Sequence, residues 1–181
     1  MFRIFLGIAL LFVTSSAFAD QSDKRLDTLF KQLRTTEDVE LGIALTQEIW
    51  RIWRQTDNDL ADELMAQSTR AMALEQYDSA LETLNHVVAA APEYAEGWNT
   101  RATLLYLMGD YVASAVDVKR TLALEPRHFG AWSGLGLIYL NLGDERAALA
   151  AFSKALEWNP HLSGSRHNFE AIKKQLREHA I

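Results

Sequence analysis

The residues that could do chemistry are few, and their spacing does not assemble a reaction centre. The five histidines are His86, His128, His161, His167 and His179, and no two stand at i, i+4 with a carboxylate to complete a zinc site. His128 and His161 follow prolines by one or two residues, which assigns them to turns, and a metal site built from His161 with His167 is disfavoured. Asp57 and Asp59 begin an alternation like that of a calcium loop, but the rest of that motif is missing. The carboxylate pairs Glu37-Asp38 and Asp144-Glu145 fall at expected helix starts, where negative charge complements the backbone dipole. Cysteine is absent, which excludes thiol catalysis, disulfides and a cysteine-linked lipid anchor. No H-E-x-x-H, G-x-S-x-G, phosphate-loop or dinucleotide glycine pattern occurs. The expectation is a chain with no catalytic residues, no metal ligands and no cofactor, so its side chains should bind rather than react.

The elements that would carry such binding are helices. In Phe129 to Leu162, Trp132, Leu135 and Ile138 or Tyr139 share one face of a first helix. Gly143-Asp144 breaks it, since glycine adopts the left-handed conformation of a helix end without a Cβ clash. A second amphipathic run through Ala148, Phe152, Ala155 and Leu156 stops at Pro160, which has no N–H to give. Gly136, Ala148 and Ala155 are the small residues at which two helix backbones would approach closely.

Trp132, Leu135, Gly136, Tyr139, Ala148, Phe152 and Pro160 together match the W-x2-L-G-x2-Y…A-x3-F…P signature, so the stretch resembles a tetratricopeptide repeat (TPR) of 34 residues. Trp98, Gly109 and Pro126 lie 34 residues before Trp132, Gly143 and Pro160, and Pro92 lies 34 before Pro126. Three units follow, at 61–94, 95–128 and 129–162. The middle one departs from the signature at Arg101, Ala102, Leu105, Ser114 and Val118. The first keeps Tyr77, Ala80 and Pro92 but has Leu64 in place of the tryptophan. The expected fold is all-α, an α-solenoid of three TPR helix hairpins with an N-terminal helical cap over 20–60 and a C-terminal capping helix over 163–181. In the cap, Leu41, Ala44, Leu45, Ile49, Ile52 and Trp53 form the inner stripe, with Trp50 at its edge. In the closing helix Phe169, Ile172 and Leu176 face inward, and Arg166 takes the tryptophan position.

In such repeats the resemblance implies a concave groove lined by the first helix of each unit. By register it would contain Met65, Thr69 and Met72, then Asn99, Thr103 and Tyr106, then Ser133, Leu137 and Leu140. TPR domains that grip a C-terminal carboxylate use lysine, arginine and asparagine there; Asn99 fits, but the basic partners are absent. A neutral groove with Met and Tyr suits an amphipathic helix or an extended segment. The alternative is a groove filled by the chain's own N-terminal helices. The Trp98 and Trp132 stripe is assigned to the core.

A formal charge of −6 over 181 residues, with no Lys/Arg cluster, argues against nucleic acid as a partner. Met1 to Ala19 is different material: one basic residue, the apolar run Ile4 to Val13, then Ala17-Phe18-Ala19. This reads as an export signal with an A-x-A cleavage site, shorter than the roughly 20 apolar residues of a spanning helix. The expectation is a periplasmic protein (a secreted one being the alternative) with no stable membrane insertion after cleavage. Its partner would be a protein or peptide, bound by a TPR adaptor or by an accessory subunit of an envelope complex. Cleavage between Ala19 and Asp20 is checked by intact mass of the protein from its native host. A mass retaining residues 1–19, in the membrane fraction, would contradict it.

Overall fold

The computed structural model describes residues 20–178; the leader, and with it the cleavage expectation, lies outside them. After a short 3-10 turn (Asp20–Ser22) come nine α-helices: α1 (Arg25–Thr35), α2 (Val39–Trp53), α3 (Asp59–Ala73), α4 (Tyr77–Ala90), α5 (Ala95–Leu107), α6 (Tyr111–Leu124), α7 (Phe129–Asn141), α8 (Glu145–Trp158) and α9 (Ser163–Glu178). No strand occurs among the described residues. Helices α3–α4, α5–α6 and α7–α8 are the three hairpins, stacked through α4 on α5, α6 on α7 and α8 on α9. This is the expected all-α solenoid.

Local chemistry explains the rhythm. Each hairpin turn contains a residue in the left-handed region: Gly109 (φ 82°), Gly143 (φ 78°) and, in the first repeat, Glu75 (φ 57°). A non-glycine residue there costs about 1–2 kcal/mol. Asp110 and Asp144 cap α6 and α8 by accepting from the N–H groups of Ala113 and Ala147, whereas Gln76 makes no cap bond for α4. The faint signature of repeat one thus has a physical counterpart in a costlier turn and an uncapped helix.

In repeat three the phenyl ring of Phe152 lies where a Cβ on Gly136 would stand, 2.7 Å away, so that glycine is what lets α7 and α8 close. Repeat two has Ala102 and Val118 at these positions and places polar groups beside them. Arg101 and Asp117, where repeat three has Leu135 and Ala151, form a bidentate pair (2.7 and 2.8 Å) between α5 and α6. Ser114 donates to the carbonyl of Ala102 at 2.7 Å, and Arg101 also reaches Asn85 of α4. The departures from the signature form a hydrogen-bonded substitute core.

Several expectations need correction. Trp98 and Trp132 are half-buried and do not lead the core. Each indole N–H donates to the carbonyl of the proline six residues earlier, Pro92 or Pro126, both at 2.9 Å. Arg166, at the corresponding position, donates to the carbonyl of Pro160 and so keeps the tryptophan's hydrogen bond. In α2 the buried line is Gly42, Leu45, Ile49, Ile52 and Trp53, while Leu41 and Ala44 face out. The rotation follows from Gly42, where a Cβ would stand 2.6 Å from the ring of His161. Asp38 caps this helix by accepting from the N–H groups of Glu40 and Leu41. Trp50 is no edge residue; it packs edge-on to Trp53, His128 and Phe129.

The N-terminal hairpin also departs from the cap expectation. It lies across the turns that open α5, α7 and α9 instead of sitting on the end of the stack. Gln21 bonds Glu93 and Ala95, Trp53 meets His128, Thr46 accepts from Asn159 at 2.9 Å, and Gly42 meets His161. Leu26, Phe30, Leu33, Ile49 and Ile52 bury there with Phe129, Trp158 and Leu162. The turns expose apolar surface on that side, and an amphipathic hairpin covers it.

Phe152→Ala should cost about 3–5 kcal/mol, the range for truncating a fully buried aromatic. Trp132→Ala, half-buried with one hydrogen bond, should cost less, and Trp50→Ala as much as Trp132→Ala or more. Urea melts of the three variants test this order.

Candidate binding groove

The first helices of repeats two and three leave a cleft of about 90 Å³ between them. From α5 it takes Asn99, Thr103 and Tyr106, from α7 Gly130, Gly134 and Leu137, and Ser114 and Val118 of α6 contribute to its lining. Residues 99, 103 and 106 share a face because three- and four-residue steps bring side chains above one another. On α7 the same face presents Gly130 and Gly134. A Cβ at Gly134 would meet nothing within 4 Å, so the cleft is open there; at Gly130 it would stand 2.6 Å from the indole of Trp50.

Four of the nine groove residues expected from register, Asn99, Thr103, Tyr106 and Leu137, thus come together. Met65 and Thr69 line a second cleft of about 430 Å³ with Arg54, Thr56, Asp62 and Tyr94. Met72 packs on the α3–α4 core around Leu84. Ser133 is engaged by α9, its hydroxyl 2.8 Å from that of Ser165. Leu140 packs with Phe152 and Ile172, so α9 covers that end of the row. Gly130 and Gly134 were missed by reasoning from side chains, since what they contribute is space. Arg54 and Tyr94 were missed because they come from the end of α2 and from the turn before α5.

The N-terminal helices do not fill the groove. They pack on the turns and on α8, and Trp50 stands against Gly130 at the cleft's end, but Thr103 stays exposed while Asn99 and Tyr106 are half-exposed.

The polar groups are arranged in a definite order. His128, fully buried, caps α7: its Nδ1 accepts the N–H of Ala131 at 3.0 Å. Its Nε2 lies 3.1 Å from Oε2 of Glu96, and Asn99 donates its Nδ2–H to the same oxygen at 2.9 Å. Tyr106 accepts from Asn141 Nδ2 at 3.0 Å. No lysine or arginine lines the α5–α7 cleft. The second cleft is lined by both Arg54 and Asp62, and burial pushes the Tyr94 phenol up, its hydroxyl having no hydrogen-bond partner. Among the described residues no group of three His, Asp or Glu could hold a metal ion, and no helix is long and apolar enough to cross a membrane.

Two family models, both described as tetratricopeptide repeat, match residues 129–162 and 65–118. A TPR repeat-containing protein of Rhizobium etli is 36% identical over 137 residues, covering 76% of this chain and 67% of the relative. The heat-shock cognate co-chaperone sgt12 of Aspergillus fumigatus is 25% identical over 65% of this chain, which spans about a third (35%) of that protein. Among solved structures, the Sgt2 TPR domain from Aspergillus fumigatus superposes with a TM-score of 0.63 at 24% identity, over 66% of this chain and 81% of that one. The first TPR of Spaghetti, bound to the HSP90 peptide SRMEEVD, superposes with a TM-score of 0.64 at 19% identity, over 67% and 96% of the two chains. These structures share the fold.

The two glycines should behave in opposite ways. Gly134→Ala should stabilise by roughly 0.5–1 kcal/mol, the ordinary gain from replacing glycine within a helix. Gly130→Ala should destabilise, because its methyl group displaces Trp50. Thermal melts of the pair check the sign of each.

Proposed function

The chain belongs to the tetratricopeptide repeat family, and on that premise we propose that it is a non-enzymatic protein-interaction module of the bacterial cell envelope. It is exported to the periplasm by its leader and holds a peptide segment of a partner protein in the α5–α7 cleft. The observation that carries this reading is the cleft itself: an open site walled by Asn99, Thr103, Tyr106 and Leu137 that the chain's own N-terminal helices leave free. The Spaghetti domain, which shares this fold, is bound to a peptide, which supports the reading by analogy. That peptide, SRMEEVD, is acidic, whereas the present cleft is lined by no lysine or arginine. The partner segment here is therefore an uncharged one, with a small apolar side chain against Gly134 and Leu137.

A second reading, an accessory or oligomerising subunit of an envelope complex, is favoured by one observation. Leu74, Met108 and Leu142, spaced 34 residues apart at the hairpin turns, are exposed to 68%, 38% and 49%. They line up apolar groups along the edge opposite the N-terminal hairpin, where a large partner could dock.

The test is recovery of partners from envelope extract by the tagged chain and by two variants. In Thr103→Glu with Tyr106→Glu, an unpaired carboxylate placed against the partner should cost several kcal/mol, a loss of a hundredfold or more in affinity. Leu140 is left alone because it packs on α9. Arg177→Glu, exposed on α9, is the control. With helix content unchanged, the double variant should lose the partner and the control keep it. Retention by the double variant would remove the cleft from consideration and favour the apolar edge.

A further inference from the structure

We infer that Glu96 and His128 are positioning residues of the cleft: together they fix the Asn99 carboxamide so that its oxygen, not its nitrogen, faces the bound segment. This rests on the groove reading. The Ala131 N–H points at His128 Nδ1, so that nitrogen carries the lone pair and the ring proton sits on Nε2. Nε2–H therefore donates to Glu96 Oε2, 3.1 Å away. The same carboxylate oxygen receives the Asn99 Nδ2–H at 2.9 Å. With one Nδ2–H drawn inward to Glu96, the carboxamide is held in one orientation, and Oδ1 is the acceptor it turns toward the cleft it lines.

The relay is held from behind by the N-terminal hairpin. The Trp53 indole stacks on the His128 ring at 4.2 Å between centroids and 8° between planes, and Trp50 stands edge-on at 5.3 Å. Glu96 is 7% exposed and His128 0%, so water does not compete for the bond between them. Tyr106 accepts from Asn141, which leaves its own O–H to donate. The cleft thus presents an acceptor at Asn99 and a donor at Tyr106, two helical turns or roughly 10 Å apart along α5. In an extended strand the backbone groups of alternate residues point to one side, so the N–H of one residue and the C=O of the second residue after it face the cleft together, roughly 9 Å apart. A helix has already consumed its backbone donors and acceptors. The occupant is therefore an extended, uncharged segment that gives a backbone N–H to Asn99.

Two measurements on the full chain test this. The first needs no partner. The 15N–1H ring spectrum of His128 should show the proton on Nε2. The Asn99 side-chain amide should exchange with solvent more slowly than that of Asn85, lose this protection in Glu96→Ala and keep it in Glu96→Gln, which retains an acceptor. A proton on Nδ1, or an Asn99 amide exchanging as fast as that of Asn85, overturns the inference.

The second uses as probe the tightest peptide selected from a random library against the wild-type chain. Glu96→Ala and Asn99→Ala should each weaken it about tenfold, the worth of one hydrogen bond. The double variant should be no worse than either, and Glu96→Gln should stay within about twofold of wild type. N-methylation at one peptide position should cost affinity for the wild type and nothing for Asn99→Ala. If Asn99→Ala weakens binding while Glu96→Ala does not, positioning by Glu96 is overturned. If the probe still binds the Thr103→Glu, Tyr106→Glu variant, the groove reading falls, and this inference with it.

Discussion

The stack of Trp53 on His128 is the contact on which the rest of the structure depends, because the N-terminal hairpin, the repeats and the cleft meet there. His128 caps α7, binds Glu96 at the start of α5 and carries the indole on its face. Around it, Phe30, Trp50 and Phe129 close a cluster that no repeat could bury by itself. Along α2 the contacts run in order: Trp53 at His128, Thr46 at Asn159, Gly42 at His161. The turns touched are about one repeat apart, and eleven helical residues from 53 to 42 rise roughly 16 Å. A rigid helix laid across successive turns fixes the distance between them. In a solenoid that distance sets the curvature of the concave side, so the hairpin acts as a brace for the groove it borders.

The same brace explains a charged group placed against an apolar cluster. Arg127 lies over the ring of Phe30, with its guanidinium forked onto the buried Glu125 and reaching Asp27 of α1. Hydrogen bonding to Glu125 raises the arginine pKa above its ordinary value, with Asp27 adding to the effect against the opposing influence of burial. Removing one member of such a buried pair leaves an uncompensated charge, which costs more than the pair itself contributes. Arg101 and Asp117 play the corresponding part between α5 and α6. Apolar side chains hold repeat three together, and these ion pairs select which surfaces repeat two and the hairpin accept as neighbours.

Hairpin boundaries were legible in the sequence because they depend on local chemistry: Gly109 and Gly143 at positive φ, Asp110 and Asp144 as caps, and prolines closing each unit. Periodicity also found the face of α5 that lines the cleft. What escaped depends on partners distant in sequence. Trp132 looked like the centre of the core because it is large and in register, yet it packs at the core's rim, with its N–H on the Pro126 carbonyl. Leu45, Ile49, Ile52 and Trp53 were placed correctly, but the start of α2 was misread because Leu41 outweighs Gly42 in any hydrophobic pattern, while the contact with His161 requires the absence of a side chain. Met72 and Leu140 stand at groove positions by register, but packing around Leu84 and against α9 claims them. Nothing local marks His128 as buried; that follows from Trp53, seventy-five residues earlier.

The bracing is uneven along the stack. The α5–α7 cleft lies where the hairpin grips most firmly, between a capped α7 and the ion pair under α5. Repeat one has a strained turn at Glu75, no side-chain cap on α4, and Leu64 where a tryptophan would bond the preceding turn. Asn58 links it to the far end of its own α4, through the carbonyl of Ala90 at 3.1 Å. In a one-dimensional array each unit is stabilised by its neighbours, so an end unit with weak internal contacts opens before the middle ones. A segment seated in the α5–α7 cleft therefore meets a preorganised surface and pays little to order it. One extending toward Met65 and Thr69 meets the softer repeat, where new contacts must offset the ordering they impose. Selectivity accordingly concentrates at Asn99 and Tyr106, and the cleft beside α3 tolerates variety.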